Sequence, residues 1–441
     1  MSSEILDRIK EAGVVGAGGA GFPTHVKLAA HAETLIINAC ECEPLIRVDQ
    51  QLLLSHTNEF LGGLDLALQQ TGARKCYIAI KAKHTEVVSA LKARTADSEI
   101  IEIAEIGDYY PAGDEQILVY DVLGKVVPLG GIPLAVGCVV CNVETIINIH
   151  RAVQSLPVIT TFVTINGAIP TPATFELPVG ISYREALSLC GVTDTSNKAA
   201  FDGGPMMGKL VLDLDAPIGK TTKAILLFDA EKGLVTKASM TEGQVLRQSK
   251  AACEQCQKCT DLCPRDLLGH QVKPHLLMRI VNYGLADFGG MKRALGCCEC
   301  GACELYACPC GLSPRRVNAL VKQQLLEAGV RIESDGADFR ASSMIAYRKI
   351  PVKRLIARLG LSSHDHPAPL KATDYEPTKV SLLLKQHLGA PATSVVNPGD
   401  TVTRGQQIAH MQDDKLGAAV HASIDGVVSA ISNTSIVLTK H

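Results

Sequence analysis

Tryptophan is absent from this chain of 441 residues, and all aromatic residues together make up 4%. That scarcity argues against the rings on which single-stranded nucleic acid stacks. An excess of either charge is missing too: 43 Lys and Arg stand against 45 Asp and Glu, a net charge of −2. Nucleic-acid binders usually carry a basic excess, so no nucleic-acid partner is expected. Long apolar runs are lacking. The longest, Val126 to Cys141, is interrupted by Pro128, Pro133 and several glycines, short of the ~20 residues a membrane helix needs. The first residues hold Glu4 and Asp7 in place of an apolar signal core. A soluble, cytoplasmic protein with no direct membrane span is predicted, with about three domains by length.

Cysteine is not lacking. There are 16, too sparse for a disulfide scaffold, yet eight form two runs. These are Cys253-x2-Cys256-x2-Cys259-x3-Cys263-Pro264 and Cys297-x2-Cys300-x2-Cys303-x4-Cys308-Pro309. Three thiolates two residues apart, then a fourth before proline, form the bacterial ferredoxin pattern that holds a cubane iron–sulfur cluster. Proline keeps the preceding cysteine out of helix, on an extended turn. In two-cluster modules the fourth cysteine serves the other run's cluster. The expectation is Cys253, Cys256, Cys259 and Cys308 on one [4Fe–4S] cluster, and Cys297, Cys300, Cys303 and Cys263 on the second. Paired zinc sites would leave the third cysteine and the Cys-Pro of each run unexplained. The second run has x4 where x3 is usual, and Cys298 and Cys310 stand beside it as alternative ligands. Such a module moves single electrons and implies a reducing compartment.

Along the chain, helical and strand signals alternate over residues 1–155, predicting an α/β unit: a helix with Ile5, Leu6 and Ile9, a strand over 34–38, a helix over 49–70 and a strand over 76–81. Short β-branched segments (158–166, 175–179, 210–214) around a helix near 183–190 predict a β-grasp-like module. A helix is expected over 314–328. Residues 340–360 read as a basic amphipathic helix packing back on the protein, 367–377 as a linker, and 378–441 as an all-β unit.

Gly16-x-Gly18-x-x-Gly21 matches the dinucleotide fingerprint but follows a helix instead of a strand, so it is a poor Rossmann signal. As a phosphate loop it is more plausible, with a helix opening at Pro23-Thr24 and Lys27 on its first turns. If a nicotinamide is the donor, its two-electron hydride needs a flavin before single electrons reach the cubanes. Cys40, Cys42, Cys138 and Cys141 read as packing residues, with a third metal site as the alternative.

Several segments together resemble a known family: Gly16 to Lys27, Asn38-Ala-Cys-Glu-Cys-Glu-Pro44, Tyr110-Pro-Ala-Gly-Asp-Glu115, Asn142-Val-Glu-Thr145 and Gly203-Gly-Pro-Met-Met-Gly208. They are similar to the flavin-binding subunit shared by respiratory complex I and Rnf-type complexes, and most of all to the cobalamin reductases of the propanediol-utilisation bacterial microcompartment. The resemblance implies a multidomain α/β fold: an FMN- and NADH-binding domain over 1–155, a soluble-ligand-binding β-grasp (SLBB) domain over 156–232, a ferredoxin-type helical domain with two [4Fe–4S] clusters over 245–330, a linking helical segment over 331–366 and a barrel-sandwich hybrid over 378–441. It implies flavin contacts at Gly18, Gly19, Gly21, Lys27, Asn38, Glu41, Gly113, Asp114, Asn142 and Thr145, and nicotinamide-nucleotide contacts at Phe22 and Glu43. The implied activity passes electrons from NADH through FMN and the clusters to cobalamin, with an adenosyltransferase and a microcompartment shell protein as partners. The alternatives are an Rnf-type subunit feeding a membrane partner and a non-enzymatic electron-wiring or scaffold protein at a shell. The tail is similar to lipoyl carriers, with Lys415 near the attachment turn, and an interaction role is expected of it.

Overall fold

A parallel sheet forms the first unit. Its strands are β1 (Thr34–Ala39), β2 (Lys75–Lys81), β3 (Ile101–Ile106) and, after the short β4 (Tyr109–Tyr110), β5 (Cys138–Asn142). The order is β3-β2-β1-β5, all parallel. Leu35 and Ile37 enter one core and Ile36 the opposite one, so apolar residues run consecutively, as in sheets covered on both faces. The computed structural model describes residues 2–332, 339–412 and 415–440. The first helix, Ser2–Glu11, lays Ile5, Leu6 and Ile9 on the flavin-type core as expected. The helix predicted over 49–70 is two, Val48–Ser55 and Thr57–Thr71, because His56 leaves helical geometry at φ −121°, ψ 32°.

The second unit comprises β6 (Thr160–Gly167), β7 (Ala173–Pro178), β8 (Lys198–Asp202), β9 (Lys209–Val211) and β10 (Ala224–Asp229) in the order β7-β6-β10-β8-β9. Only β10 and β6 run parallel, which is the β-grasp arrangement. Its helix, Tyr183–Ser188, starts at a reciprocal Ser182–Glu185 capping box. The strand predicted over 210–214 stops at Val211, and Leu212 is 93% exposed. Phe162, Leu226 and Phe228 of this sheet join the flavin-side core. Val163, Ile165 and Leu227 join Val380, Leu382, Ile436 and Leu438 of the tail. Three units thus share two cores.

Helices dominate residues 242–327, ending in Pro314–Glu327. The basic helix predicted over 340–360 is broken: a 3-10 turn (Ile345–Tyr347), then β11 (Ile350–Pro351) paired with β4, then a helix over Val352–Arg358. Pro351 forces extended backbone on Ile350, which ends any helix there. The segment expected over 331–366 is therefore not one helix; its residues 333–338 lie outside the described ones. The expected linker 367–377 is docked, since Thr174 exchanges backbone hydrogen bonds with Pro369 and Lys371. The tail holds β12 (Lys379–Leu383), β13 (Thr393–Ser394), β14 (Thr401–Val402), β15 (Gln407–His410), β16 (Val420–His421), β17 (Gly426–Ile431) and β18 (Ser435–Thr439), in two antiparallel sheets. Among the described residues no helix is long and apolar enough to cross a membrane.

Candidate flavin and iron–sulfur sites

In the first sheet the chain builds outward from β1 to β2 and β3, then returns to place β5 on the other side of β1. Ligands of open α/β sheets sit at the carboxyl ends of strands where the order reverses in this way. The residues there are Asn38 and Asn142, paired in register at the ends of β1 and β5. The glycine loop closes over them. Gly16 N–H donates to Phe22 O at 2.9 Å and Ala17 N–H to Thr145 Oγ1 at 2.9 Å. A Cβ on Gly18 would lie 3.5 Å from Asn142 Cβ, whereas one on Gly19 (φ +108°) would meet nothing within 4 Å. Gly18, Gly19 and Ala20 are exposed, and no acceptor among the described residues takes their N–H groups. This is a cradle of free backbone donors suited to a phosphate. The helix behind it, Thr24–Leu28, has five residues and no side-chain cap, so the loop and not a helix terminus supplies the donors. Lys27 is turned away from the loop: its amine donates to Val140 O at 2.9 Å and lies 3.4 Å from Glu115.

The other expected flavin residues have protein partners. Asn38 bridges the Gly113 carbonyl and the Cys40 N–H at 2.9 and 3.1 Å. Gly113 packs so closely that a Cβ would stand 2.6 Å from Cys40 O. Glu41 accepts from Val48 N–H. It belongs to a buried set with Asp49, Glu144 and Lys223, in which Lys223 pairs with Glu144 and Asn142 donates to Asp49 at 2.8 Å. Burial and mutual repulsion push the Glu41 and Asp49 carboxyls up. Asp49 Oδ1 is buried without a partner, leaving an unused acceptor beside the crevice. The free N–H cradle and this acceptor fit a phosphate-bearing flavin. Phe22 follows the loop, half-buried. Glu43 accepts from Met206 and Met207 N–H at 3.0 and 2.9 Å and is pushed up to about 7 by burial. A nucleotide reaching Glu43 would have to displace that loop.

Cys253, Cys256, Cys259 and Cys308 line one cavity, with Cys310 at its rim. Cys263 lies within electrostatic reach of Cys298 and, next, of Cys297, while Cys303 lies within reach of Cys297, Cys263, Cys300 and, across the runs, Cys259. The fourth cysteine of each run thus faces the other run's triplet. Both runs turn alike: Gln255 and Gln257 have φ of +52° and +64°, and Glu299 and Gly301, at equivalent positions, have +58° and +77°. Left-handed residues cost energy where they are not glycine, so their repetition marks two built loops. This register matches Cys297 with Cys253 and Cys298 with Glu254. The x4 spacing has a local cause. Lys258–Asp261 of the first run is α-helical, whereas Ala302–Ala307 is a π-helix, which takes up one extra residue. Glu299 N–H and Leu312 N–H point at Cys297 and Cys308 sulfurs at 3.4 and 3.3 Å, donors that stabilise thiolate charge. Among the described residues no three His, Cys, Asp or Glu side chains crowd closely enough to grip a single ion. A cubane instead takes its thiolates one per iron, from four directions.

Among the described residues the alternative third metal site does not come together. Cys138 and Cys141 enter opposite cores, and Cys138 donates to Pro133 O. Lys415 is exposed, with its amine on Gln412 at 2.7 Å.

The two sites meet. Asp114, which caps the helix Glu115–Leu123, forms a bidentate ion pair with Arg265 at 2.6 and 2.9 Å. Buried Tyr110 donates to Cys300 O at 2.5 Å. Sequence reasoning missed Arg265, whose partner lies 151 residues away, and the buried set around Asp49.

The chain matches three family models: the Nuo51 FMN-binding domain over residues 9–151, a 4Fe-4S dicluster domain over 252–313 and the RnfC barrel sandwich hybrid domain over 366–441. It is 45% identical to the cobalamin reductase PduS of Citrobacter freundii, over 99% of this chain and 96% of that one. The corresponding figures for PduS of Salmonella typhimurium are 44%, 100% and 97%. A component of the proton-translocating ferredoxin:NAD(+) oxidoreductase complex of Clostridium ljungdahlii is 33% identical, over 60% of this chain and 56% of that one. Among solved structures, an NAD+-reducing [NiFe]-hydrogenase in the H2-reduced state aligns with a TM-score of 0.49 at 23% identity, covering 83% of this chain and 68% of that one.

Proposed function

Because the chain belongs to the family of the PduS cobalamin reductases, matched from end to end, we propose that it passes electrons from NADH through FMN and two [4Fe–4S] clusters to the cobalt of cobalamin. The chain is a flavin and iron–sulfur oxidoreductase; the donor, the cluster count and the route are the proposal. When bound, the flavin supplies the conversion of a two-electron hydride into single electrons. The chain's own residues do the rest. Gly18 and Gly19 hold a phosphate with backbone donors, and the Glu41–Asp49 set keeps a proton beside Asn142. Asp114 and Arg265 fix the crevice against the second cysteine run. The N–H groups on Cys297 and Cys308 steady the sulfur charge. Phe22 is the nicotinamide-side residue, and Glu43 would join it only on displacement of the Met206–Met207 loop.

The observation that carries this reading is the junction between sites. Tyr110 and Asp114, both from the flavin-side segment, touch the backbone of Cys300 and the residue two past Cys263. On this reading electrons would enter through the cluster that Cys263, Cys297, Cys300 and Cys303 would hold, and leave through the one that Cys253, Cys256, Cys259 and Cys308 would hold, which exposed Cys256 brings to the surface. An adenosyltransferase that uses Co(I) and a microcompartment shell protein are the partners this reading expects, inside a cytoplasmic microcompartment. Reconstituted protein mixed anaerobically with NADH and hydroxocobalamin should reduce the cobalt. Full flavin and clusters with no cobalt reduction would defeat the proposal.

A further inference from the structure

We propose that the corrinoid meets the protein in a cationic pocket laid across both cysteine runs, where Lys258, Arg354 and Arg358 take its phosphodiester and amide carbonyls. This rests on the reading of cobalamin as acceptor and adds where it docks. The pocket holds about 590 Å³ and opens to solvent, so it would take one edge of a corrinoid and leave the rest of the ring outside. Its floor comes from the segments between ligands. Lys258 and Leu262 directly precede Cys259 and Cys263, and Tyr306 and Ala307 directly precede Cys308. Neighbouring Cα atoms stand about 3.8 Å apart, so an occupant is one residue from cysteines assigned to each cluster. A larger cavity of about 960 Å³ takes no wall from residues 245–330, so it has no such access.

The rim is the basic segment that follows β11. Val352, Leu355 and Ile356 hold its helix to the protein, while Arg354 and Arg358 project over the pocket. Arg348 is neutralised by Asp261 at 2.8 Å. Lys258, Arg354 and Arg358 are exposed, and no carboxylate among the described residues pairs with them. Arg358 donates to Cys308 O at 3.3 Å and keeps further donors free. Three cations without a carboxylate partner among the described residues make this a positive patch in a protein with net charge −2, suited to an acceptor-rich ligand. A corrinoid presents such a periphery: amide carbonyls and one phosphodiester. Lys and Arg only donate, and Arg does so through a fork that suits phosphate. In the step itself one electron leaves a reduced cluster, Co(III) becomes Co(II), and the axial water or hydroxide departs with its electron pair. A second electron gives Co(I), and the lower axial base departs with its electron pair.

The test uses the oxidised holoprotein and its Arg354→Glu and Lys258→Glu variants, with iron content and the reduced EPR spectrum confirming intact clusters. Equilibrium dialysis should show hydroxocobalamin bound about tenfold more weakly by the double variant at low salt, with the gap closing as salt rises. Cobinamide, which lacks the phosphodiester, should show a smaller gap. Dithionite-reduced, desalted protein should likewise pass electrons to hydroxocobalamin more slowly in the variant, but equally fast to a neutral quinone. Wild-type and variant protein binding and reducing cobalamin alike would overturn the pocket and leave the acceptor reading standing. Slower transfer to an acidic flavodoxin with unchanged cobalamin binding would overturn it in favour of a protein partner. Wild-type protein that neither binds nor reduces cobalamin would remove both readings.

Discussion

At the scale of single residues, local chemistry was legible and long-range pairing was not. The two cysteine runs stand out because cluster chemistry would fix such spacing within ten or so positions. Arg265 carries no such mark; its meaning comes from Asp114, far away in the chain. Both are largely buried, at 10% and 13% side-chain exposure. Breaking a buried pair leaves an uncompensated charge, at about 3 kcal/mol or more. Arg265→Gln should therefore lower the unfolding midpoint of the anaerobic holoprotein by several degrees in a thermal melt, and an unchanged midpoint would refute the strut. Glu43 gives a pH signature. Its carboxyl is raised from the usual 4.5 to about 7, so the folded state binds this proton more tightly than the unfolded chain. That contribution is fully present below pH 4.5 and is lost as pH rises through 7. Glu43→Gln should flatten the decline in melting temperature between about pH 4.5 and 7, and a decline as steep as wild type would count against it.

At the scale of elements, strands and helices with clear periodicity were read correctly, since burial on both faces of β1 and β2 demands continuous apolar sequence. Breaks were not. Neither His56 nor the restart after Pro351 changes the hydrophobic pattern enough to be seen, although Pro351 supplied a reason. The irregular second cysteine run turns out to be geometry: a π-helix absorbs the additional residue between Cys303 and Cys308. The matched left-handed residues favour Cys297 over Cys298 as the proposed ligand. Cys297→Ser should cost one cluster, about half the iron, whereas Cys298→Ser should keep all of it. Iron analysis with EPR separates the two, and the reverse result would move the ligand to Cys298.

At the scale of the molecule, domain order was legible from composition and resemblance, but its mutual dependence was not. The tail packs beside the glycine loop: Leu388 N–H donates to Gly21 O at 2.9 Å, and buried Lys220 donates to both Gly13 O and Ala419 O. Apolar side chains of the tail also complete the β-grasp core. Residues 378–441 are thus part of the fold and not an appended carrier. A chain ending at residue 377 should expose that core and lose flavin, seen as dye binding and a bleached flavin spectrum; a stable, flavin-retaining truncation would contradict this.

The central claim is that electrons from NADH reach two cubanes held by crossed cysteine runs. Its most direct test is EPR of the anaerobic, reconstituted protein after NADH, read beside iron and sulfide analysis. About eight irons and eight sulfides per chain, with two magnetically interacting signals appearing on NADH addition, is the predicted result. Zinc in place of iron, or a full iron complement that stays EPR-silent with NADH while responding to dithionite, would contradict it.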